Sequence, residues 1–300
     1  MFDLLGTAAF WSSAITGATP IAFAALGALF ASRSGSLFVG VEATLLGSAF
    51  VALVVAVQSG STWLGVLAGL LSGLVLGLVN GLLSMQLAMG DVVAGLVLQI
   101  LVTGATGLLV ARWYPNGLAA GALQLGPSWP STGDGALDVV VRQPVLVYAA
   151  VVVAVAMVAF FRTAPGLVVR ASGDSLRVAY ALRVPVARVR YAALSVAGAI
   201  TGVGGAFLAL GVVGVFTTGV TSGRGFVALA CVILAAWRPV LAVVAALLFS
   251  AAYTYGFQTD DASLAALQVL PYVLTIVVIA FSKAGRGPAD EGKGLVVVGR

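Results

Sequence analysis

An all-α, polytopic transmembrane helical bundle of about eight to ten spans is the fold this sequence predicts, and three observations carry it. Of the 300 residues 61% are hydrophobic and 8% charged, with a mean hydropathy of +1.14, which leaves too few polar side chains to cover a water-soluble globule. The apolar residues gather in blocks close to the roughly 20 residues that cross a hydrocarbon layer, and the blocks recur along nearly the whole chain. The 15 Lys and Arg residues concentrate in one set of connecting loops, as cytoplasmic retention of basic side chains requires.

Nine blocks can serve as spans, at roughly 12–31, 37–57, 62–84, 91–111, 143–161, 191–213, 224–237, 239–257 and 264–282. The first lacks the basic flank of a cleaved signal and reads as a retained span. The 224–237 block is short for a full crossing, so it is expected to be a broken or tilted helix or to merge with its neighbour around Trp237-Arg238-Pro239. Residues 1–282 form one transmembrane domain, and 283–300 read as a disordered cytoplasmic tail.

The only long polar, charge-bearing segment between apolar blocks covers 162–190 and holds six arginines against one acid, Asp174. Placed on the cytoplasmic side, it fixes the orientation of the other loops, with the N-terminus outside. Twelve Lys and Arg then lie inside, and only Arg112, Arg142 and Arg224 of the 15 lie outside. Within the segment Gly173, Asp174 and Ser175 can start a helix, Asp174 suits its positive end, and Pro185 closes it. Such a short helix is stable only when docked on something.

Gly65, Gly69, Gly73, Gly77 and Gly81 recur every fourth residue, so one side of the third span carries no Cβ atoms and lets a neighbouring helix approach closely. Gly198, Gly202 and Gly205 with Ala206 predict a second such face. The 112–142 loop, rich in Gly, Pro, Trp and Tyr, lies outside; it is either a docking surface for an external partner or an interfacial belt of Trp113, Tyr114 and Trp129. Gly35, Phe38, Val39 and Leu46 share their spacing with Gly223, Phe226, Val227 and Leu234 on a span of opposite direction, a candidate inverted repeat.

Chemistry has few bearers. There is no histidine, which removes His-ligated metal sites and His-based catalysis, and Cys231 is alone in an apolar run. No cofactor is expected, and no nucleic acid, because no basic groove carries interleaved aromatics. Glu42 sits just inside the second span, where a carboxylate costs about 3 kcal/mol on insertion scales and needs a polar cavity or a hydrogen-bonding partner. It either lines a path or bonds a broken helix. Asn80, Gln99 and Thr103 suit interhelical hydrogen bonds. The tail run from Gly287 to Gly294 imitates a phosphate-binding loop but has Gly294 where a Ser or Thr would hold magnesium, so the chain has no nucleotide site of its own and is not an enzyme. From the residues alone, energy for transport comes either from a partner or from an ion gradient acting on Glu42 and Asp91.

Several stretches resemble the permease subunits of ABC importers in the branched-chain amino acid and simple-sugar superfamily, most closely the nucleoside-type permeases. The run Arg162-Thr163-Ala164-Pro165-Gly166-Leu167-Val168-Val169-Arg170-Ala171-Ser172-Gly173-Asp174 is similar to the segment that precedes their coupling helix. Thr221 to Ala230, Trp237-Arg238-Pro239, Arg33-Ser34-Gly35 and Gly40-Val41-Glu42 look like further family motifs; Phe38 and Ala43 stand where the family often has Asn and Gly. The resemblance implies an ATP-driven importer subunit in the plasma membrane, moving nucleosides or related small polar solutes by alternating access. It implies three partners: an ABC ATP-binding subunit, a second permease subunit that is a paralogue or a second copy, and an extracytoplasmic substrate-binding protein. A coupling helix at 174–183 would dock on the ATPase through Arg170, Gly173, Asp174, Arg177 and Arg183, and Phe38, Glu42, Arg224 and Phe226 are the candidates for lining the substrate path. The ion-driven secondary transporter is the alternative.

Overall fold

The computed structural model describes residues 7–121, 125, 143–258 and 287–292. In chain order the helices are α1 (Ala8–Arg33), α2 (Val41–Ser59), α3 (Thr62–Gly81), α4 (Asp91–Trp113), α5 (Val145–Phe160), α6 (Ala164–Asp174), α7 (Leu176–Ala181), α8 (Val186–Phe207), α9 (Arg224–Leu234) and α10 (Pro239–Gln258). Two-residue strands β1 (Leu118–Ala119) and β2 (Val215–Phe216) pair antiparallel. The chain is all-α in character, and α3 and α8 each end in a π-turn, Leu82–Gln86 and Leu208–Val213. Among the described residues six helices are long and apolar enough to cross a bilayer, and α5 with α6 makes a seventh if the bent pair is one span. The expected span at 264–282 lies outside the described residues.

Two blocks differ from full crossings. Helix α5 has 16 residues and then turns through 82° into α6, and α9 has only 11 residues. The 224–237 block is therefore a half-length helix. It stops at Leu234 because Ala236 and Trp237 take left-handed backbone conformations, φ 47° and 57°, and Pro239 starts α10. Likewise the second span begins at Val41 and not at 37, because 34–40 form a non-helical connector fixed from outside itself. The Leu37 amide donates to Asp91 Oδ2 at 2.6 Å, and Ser84 donates to the other oxygen of the same carboxylate.

Helix α1 packs against α8, α9 and α10, while α8 packs against α1, α2 and α3. Exchanging α1 with α8, α2 with α9 and α3 with α10 maps one set onto the other, and α1 and α8 run in opposite directions, the end of α1 meeting the start of α8 beside α6. This is the packing of an inverted repeat. Its register differs from the one the residue identities suggested: α9 starts after Gly223, but α2 starts after Gly40 and not after Gly35.

The glycine face of α3 packs on Gly198, Gly202 and Ala206 of the second predicted face, while Gly205 packs on Leu45 and Ser48 of α2. A methyl group added to Gly73 would lie 2.3 Å from the Gly198 carbonyl oxygen, one on Gly77 2.2 Å from that of Leu194, and one on Gly202 2.3 Å from that of Gly69. Backbone therefore touches backbone along α3 and α8, where dispersion is gained without any hydrophobic driving force. The opposite faces of α3 and α4 leave Leu67, Leu71, Val75, Leu96, Ile100 and Leu108 exposed, as a lipid-facing surface requires.

Candidate functional site

The segment from Arg162 to Asp174 folds as a corner built by its own motif. Thr163 caps α6, its hydroxyl donating to the Phe160 carbonyl at 2.6 Å and accepting from the Gly166 amide. Pro165 occupies the first turn, where its missing N–H costs nothing. Gly166 faces the end of α5 so closely that a methyl there would lie 2.0 Å from the Phe160 carbonyl oxygen.

The far end of α6 is seated on the end of α1. Ser172 donates to the Ser34 carbonyl at 3.1 Å, and a methyl on Gly173 would meet the Arg33 carbonyl oxygen at 2.5 Å. This contact corrects the predicted helix boundary. Asp174 ends α6, and Ser175 is the cap of the next helix, accepting from the Val178 amide. The short helix is α7, six residues, and not 174–183; Arg183 lies beyond it at φ 55°.

Part of the tail, 287–292, closes this end of the molecule, where the sequence suggested a disordered segment. The Leu176 amide, at the start of α7, donates to Asp290 Oδ2 at 2.6 Å. The Asp290 amide donates to the Gly173 carbonyl at 3.0 Å, and the Gly292 amide to that of Gly35 at 3.1 Å. Ser32 donates to the Glu291 carboxylate, and the Trp237 indole donates to Ser32 at 2.6 Å. Burial pushes the Glu291 carboxyl above its ordinary range; the Ser32 bond opposes the rise and the charge of Asp91 adds to it. The tail, α1, α6, α7 and the α9–α10 turn thus form one hydrogen-bonded cluster.

The predicted coupling residues divide between two surfaces. Arg177 and Arg183 are exposed on and beyond α7, together with Val178, Tyr180 and Leu182, the last 68% exposed. Arg170 instead faces a cleft beside Arg33 and Arg238, on another side of α6. Gly173 belongs to the seat on α1, and the exposed Asp174 acts on Arg33 only through its charge.

Deeper in the bundle the starts of α2 and α9 meet. Glu42, 4% exposed, accepts from the Gly223 amide at 3.1 Å and from the Gly225 amide at 2.6 Å. A carboxylate thus satisfies two of the open amides at the positive end of α9. Phe38 is fully buried in the core, and Phe226 is 46% exposed on α9. Arg224 lines a cavity of about 150 Å³ between α1, α9 and α10, over the Tyr253 ring at 5.4 Å and donating to the Val220 carbonyl. Ser13, Ser222, Ser250 and Thr254 also line it. The structure therefore brings Glu42 to the start of α9 and Arg224 to this cavity, whose described lining includes neither Phe38 nor Phe226. Sequence reasoning had no signal for Tyr253, one of several aromatic residues on an apolar span. Asn80 is buried beside Gly40 with no hydrogen-bond partner among the described residues.

A bundle of lipid-facing helices with an inverted repeat, a half-length helix in its interior and a bent corner at one end defines a multi-pass membrane protein. Comparison with known proteins gives the family. Residues 11–279 match the model of the permease component of branched-chain amino acid transport systems, and the chain belongs to that family of ABC transporter permeases of the plasma membrane. It is 30% identical to a putative glucose ABC transporter permease of Haloferax volcanii over 85% of this chain and 78% of that protein. It is 28% identical to a nucleoside ABC transporter permease of Lactococcus lactis, covering 92% of each. A guanosine ABC transporter permease of Bacillus subtilis is 27% identical, over 93% of this chain and 92% of its own. No solved structure matches significantly.

Proposed function

We propose that this chain is the membrane-spanning subunit of an ATP-driven importer for nucleosides or related small polar solutes, working by alternating access. The observation that carries the reading is the corner at α6 and α7. It presents Arg177, Val178, Tyr180, Leu182 and Arg183 outward at the coupling end while its inner side is bonded to α1 and the tail. A partner that pushes on α7 pushes on α1 through backbone contacts, and α1 packs on both α8 and the half-length helix α9. That partner is an ABC ATP-binding subunit, with Arg177 and Arg183 contacting it, Gly173 holding the seat, Asp174 acting on Arg33 through its charge, and Arg170 at the rim.

The solute class rests on two relatives described as nucleoside and guanosine permeases, and on the Arg224–Tyr253 pair, whose aromatic face and cation suit a flat polar ring. The pathway is completed by a second permease subunit, a paralogue or another copy, and substrate is delivered by an extracytoplasmic binding protein. An ion-driven mechanism is disfavoured because Glu42 and Asp91, its two acids, are both engaged by backbone amides.

The test is a mild-detergent pull-down of the tagged chain with uptake measured in parallel. An ATP-binding subunit should copurify and be lost in Arg177→Ala/Leu182→Ala, and labelled guanosine or adenosine uptake should stop on ATP depletion and resist an uncoupler. Uptake that survives ATP depletion but collapses with the uncoupler would sink the proposal.

A further inference from the structure

At the coupling end a cleft of about 380 Å³ opens between the end of α1, the α5–α6 corner, α6 and the α9–α10 turn. Four guanidinium groups line it, Arg33, Arg162, Arg170 and Arg238, one from each of these elements, and no carboxylate does among the described residues. The guanidinium groups of Arg162, Arg170 and Arg238 form no hydrogen bond or ion pair among the described residues. Arg33 donates through Nη2 to the Trp237 carbonyl at 2.8 Å, and its buried Nε has no partner among the described residues. Asp174 acts on Arg33 electrostatically but does not line the cleft. Four cations held together from four separate elements repel one another until an anion joins them.

The depth and the walls say which anion. Arg162 follows the last turn of α5, and Arg238 precedes the first residue of α10, so both sit where spans leave the hydrocarbon. The cleft wall is apolar at Phe161 and Pro239 and continues outward along exposed Val240, Leu241 and Val244 of α10 and Val151 and Val155 of α5. An occupant that fits presents an anionic head to the guanidiniums and hydrocarbon to the valines and leucine. We propose that this cleft binds the phosphate of an anionic phospholipid of the cytoplasmic leaflet, its acyl chains lying along α5 and α10. A bound phosphate bridges α6 of the coupling corner to the α9–α10 turn, so the lipid ties the docking surface to the half-length helix.

The full chain would be placed in nanodiscs of phosphatidylcholine, with and without phosphatidylglycerol, and retained lipid counted by native mass spectrometry. Inorganic phosphate would serve as the free-anion arm. Phosphatidylglycerol is expected to be retained by the wild type and by Arg112→Gln at the opposite end, and to bind about tenfold more weakly to Arg162→Gln/Arg238→Gln. Phosphatidylglycerol should raise the melting temperature, and inorganic phosphate should not.

Equal retention by the double variant, or equal retention of phosphatidylcholine, would overturn the proposal. So would stabilisation by inorganic phosphate as large as that by the lipid, which would leave a free-anion site. Loss of the ATP-binding subunit from the double variant with lipid retention unchanged would reassign the arginines to an acidic partner surface. Should the double variant not fold, quenching of Trp237 fluorescence by brominated phosphatidylglycerol in the wild type, taken as the difference from Trp237→Phe, decides the matter. Quenching by brominated phosphatidylcholine of equal size rules the site out.

Discussion

Glu42 Oε2 accepts from the Gly225 amide at 2.6 Å, so the first turn of α2 caps the half-length helix α9. The two helices are also in direct backbone contact there: a methyl on Gly225 would lie 2.7 Å from the Glu42 Cα. Replacing Glu42 with Ala leaves two α9 amides without an acceptor inside the bundle, at about 1–3 kcal/mol each. Glu42→Gln keeps one acceptor oxygen and should lose about half as much. Melting temperature in detergent should therefore fall in the order wild type, Gln, Ala. Equal stability of the Ala variant would show that water or another group supplies the acceptor.

The α3–α8 seam makes a contrast that depends on position alone. Gly73→Val and Gly198→Val drive side chains into opposing carbonyl oxygens, and overpacking of this kind costs about 1–3 kcal/mol or more. A methyl added to Gly104 on α4 would meet nothing within 4 Å among the described residues, so Gly104→Ala should be neutral or slightly stabilising. Thermal unfolding of the three variants separates close packing from a general intolerance of glycine substitution.

These glycines also mark where sequence reasoning reached its limit. Fourfold spacing revealed a Cβ-free side on each helix, because periodicity is local; it could not reveal that Gly73 faces Gly198, because partner choice is not. The same holds for Glu42, visible as a costly carboxylate whose mate lies 183 residues away at Gly225. The motif around Thr163 and Gly166 was legible as a motif, but only the geometry shows it as a corner. The start of α7 is ambiguous in sequence because Asp174 and Ser175 are both good caps, and the seat of Gly173 on Arg33 carries α6 through Asp174. The tail misled for another reason. Its Gly, Pro and acidic residues look solvated, and nothing local announces that Asp290 meets the open amide of Leu176.

Docking of 287–292 should depend on pH through Glu291. Burial raises its carboxyl above the ordinary value of 4.5, so the docked tail holds the proton more tightly than the released one. The contribution is present at pH below the ordinary value and is lost as pH rises through the raised one. Hydrogen exchange at 287–292 should therefore quicken as pH increases beyond its intrinsic base catalysis, and Glu291→Gln should remove that excess. An unchanged profile in the variant would place the titration elsewhere.

The 82° corner between α5 and α6 makes the last prediction, because it separates a steric role from a capping role within one motif. Gly166→Val places atoms where a methyl alone would lie 2.0 Å from the Phe160 carbonyl oxygen, and α6 can relieve this only by swinging away from α5. That movement pulls Gly173 off the end of α1. Thr163→Val removes the cap on the Gly166 amide and should cost about 1 kcal/mol while leaving the corner in place. Copurification of the ATP-binding subunit should be lost in the Gly166 variant and retained in the Thr163 variant, with both chains still inserted in the membrane. If both variants bind the subunit equally, α7 docks independently of the corner, and force must reach α1 through the tail instead, from Asp290 at Leu176 to Glu291 at Ser32.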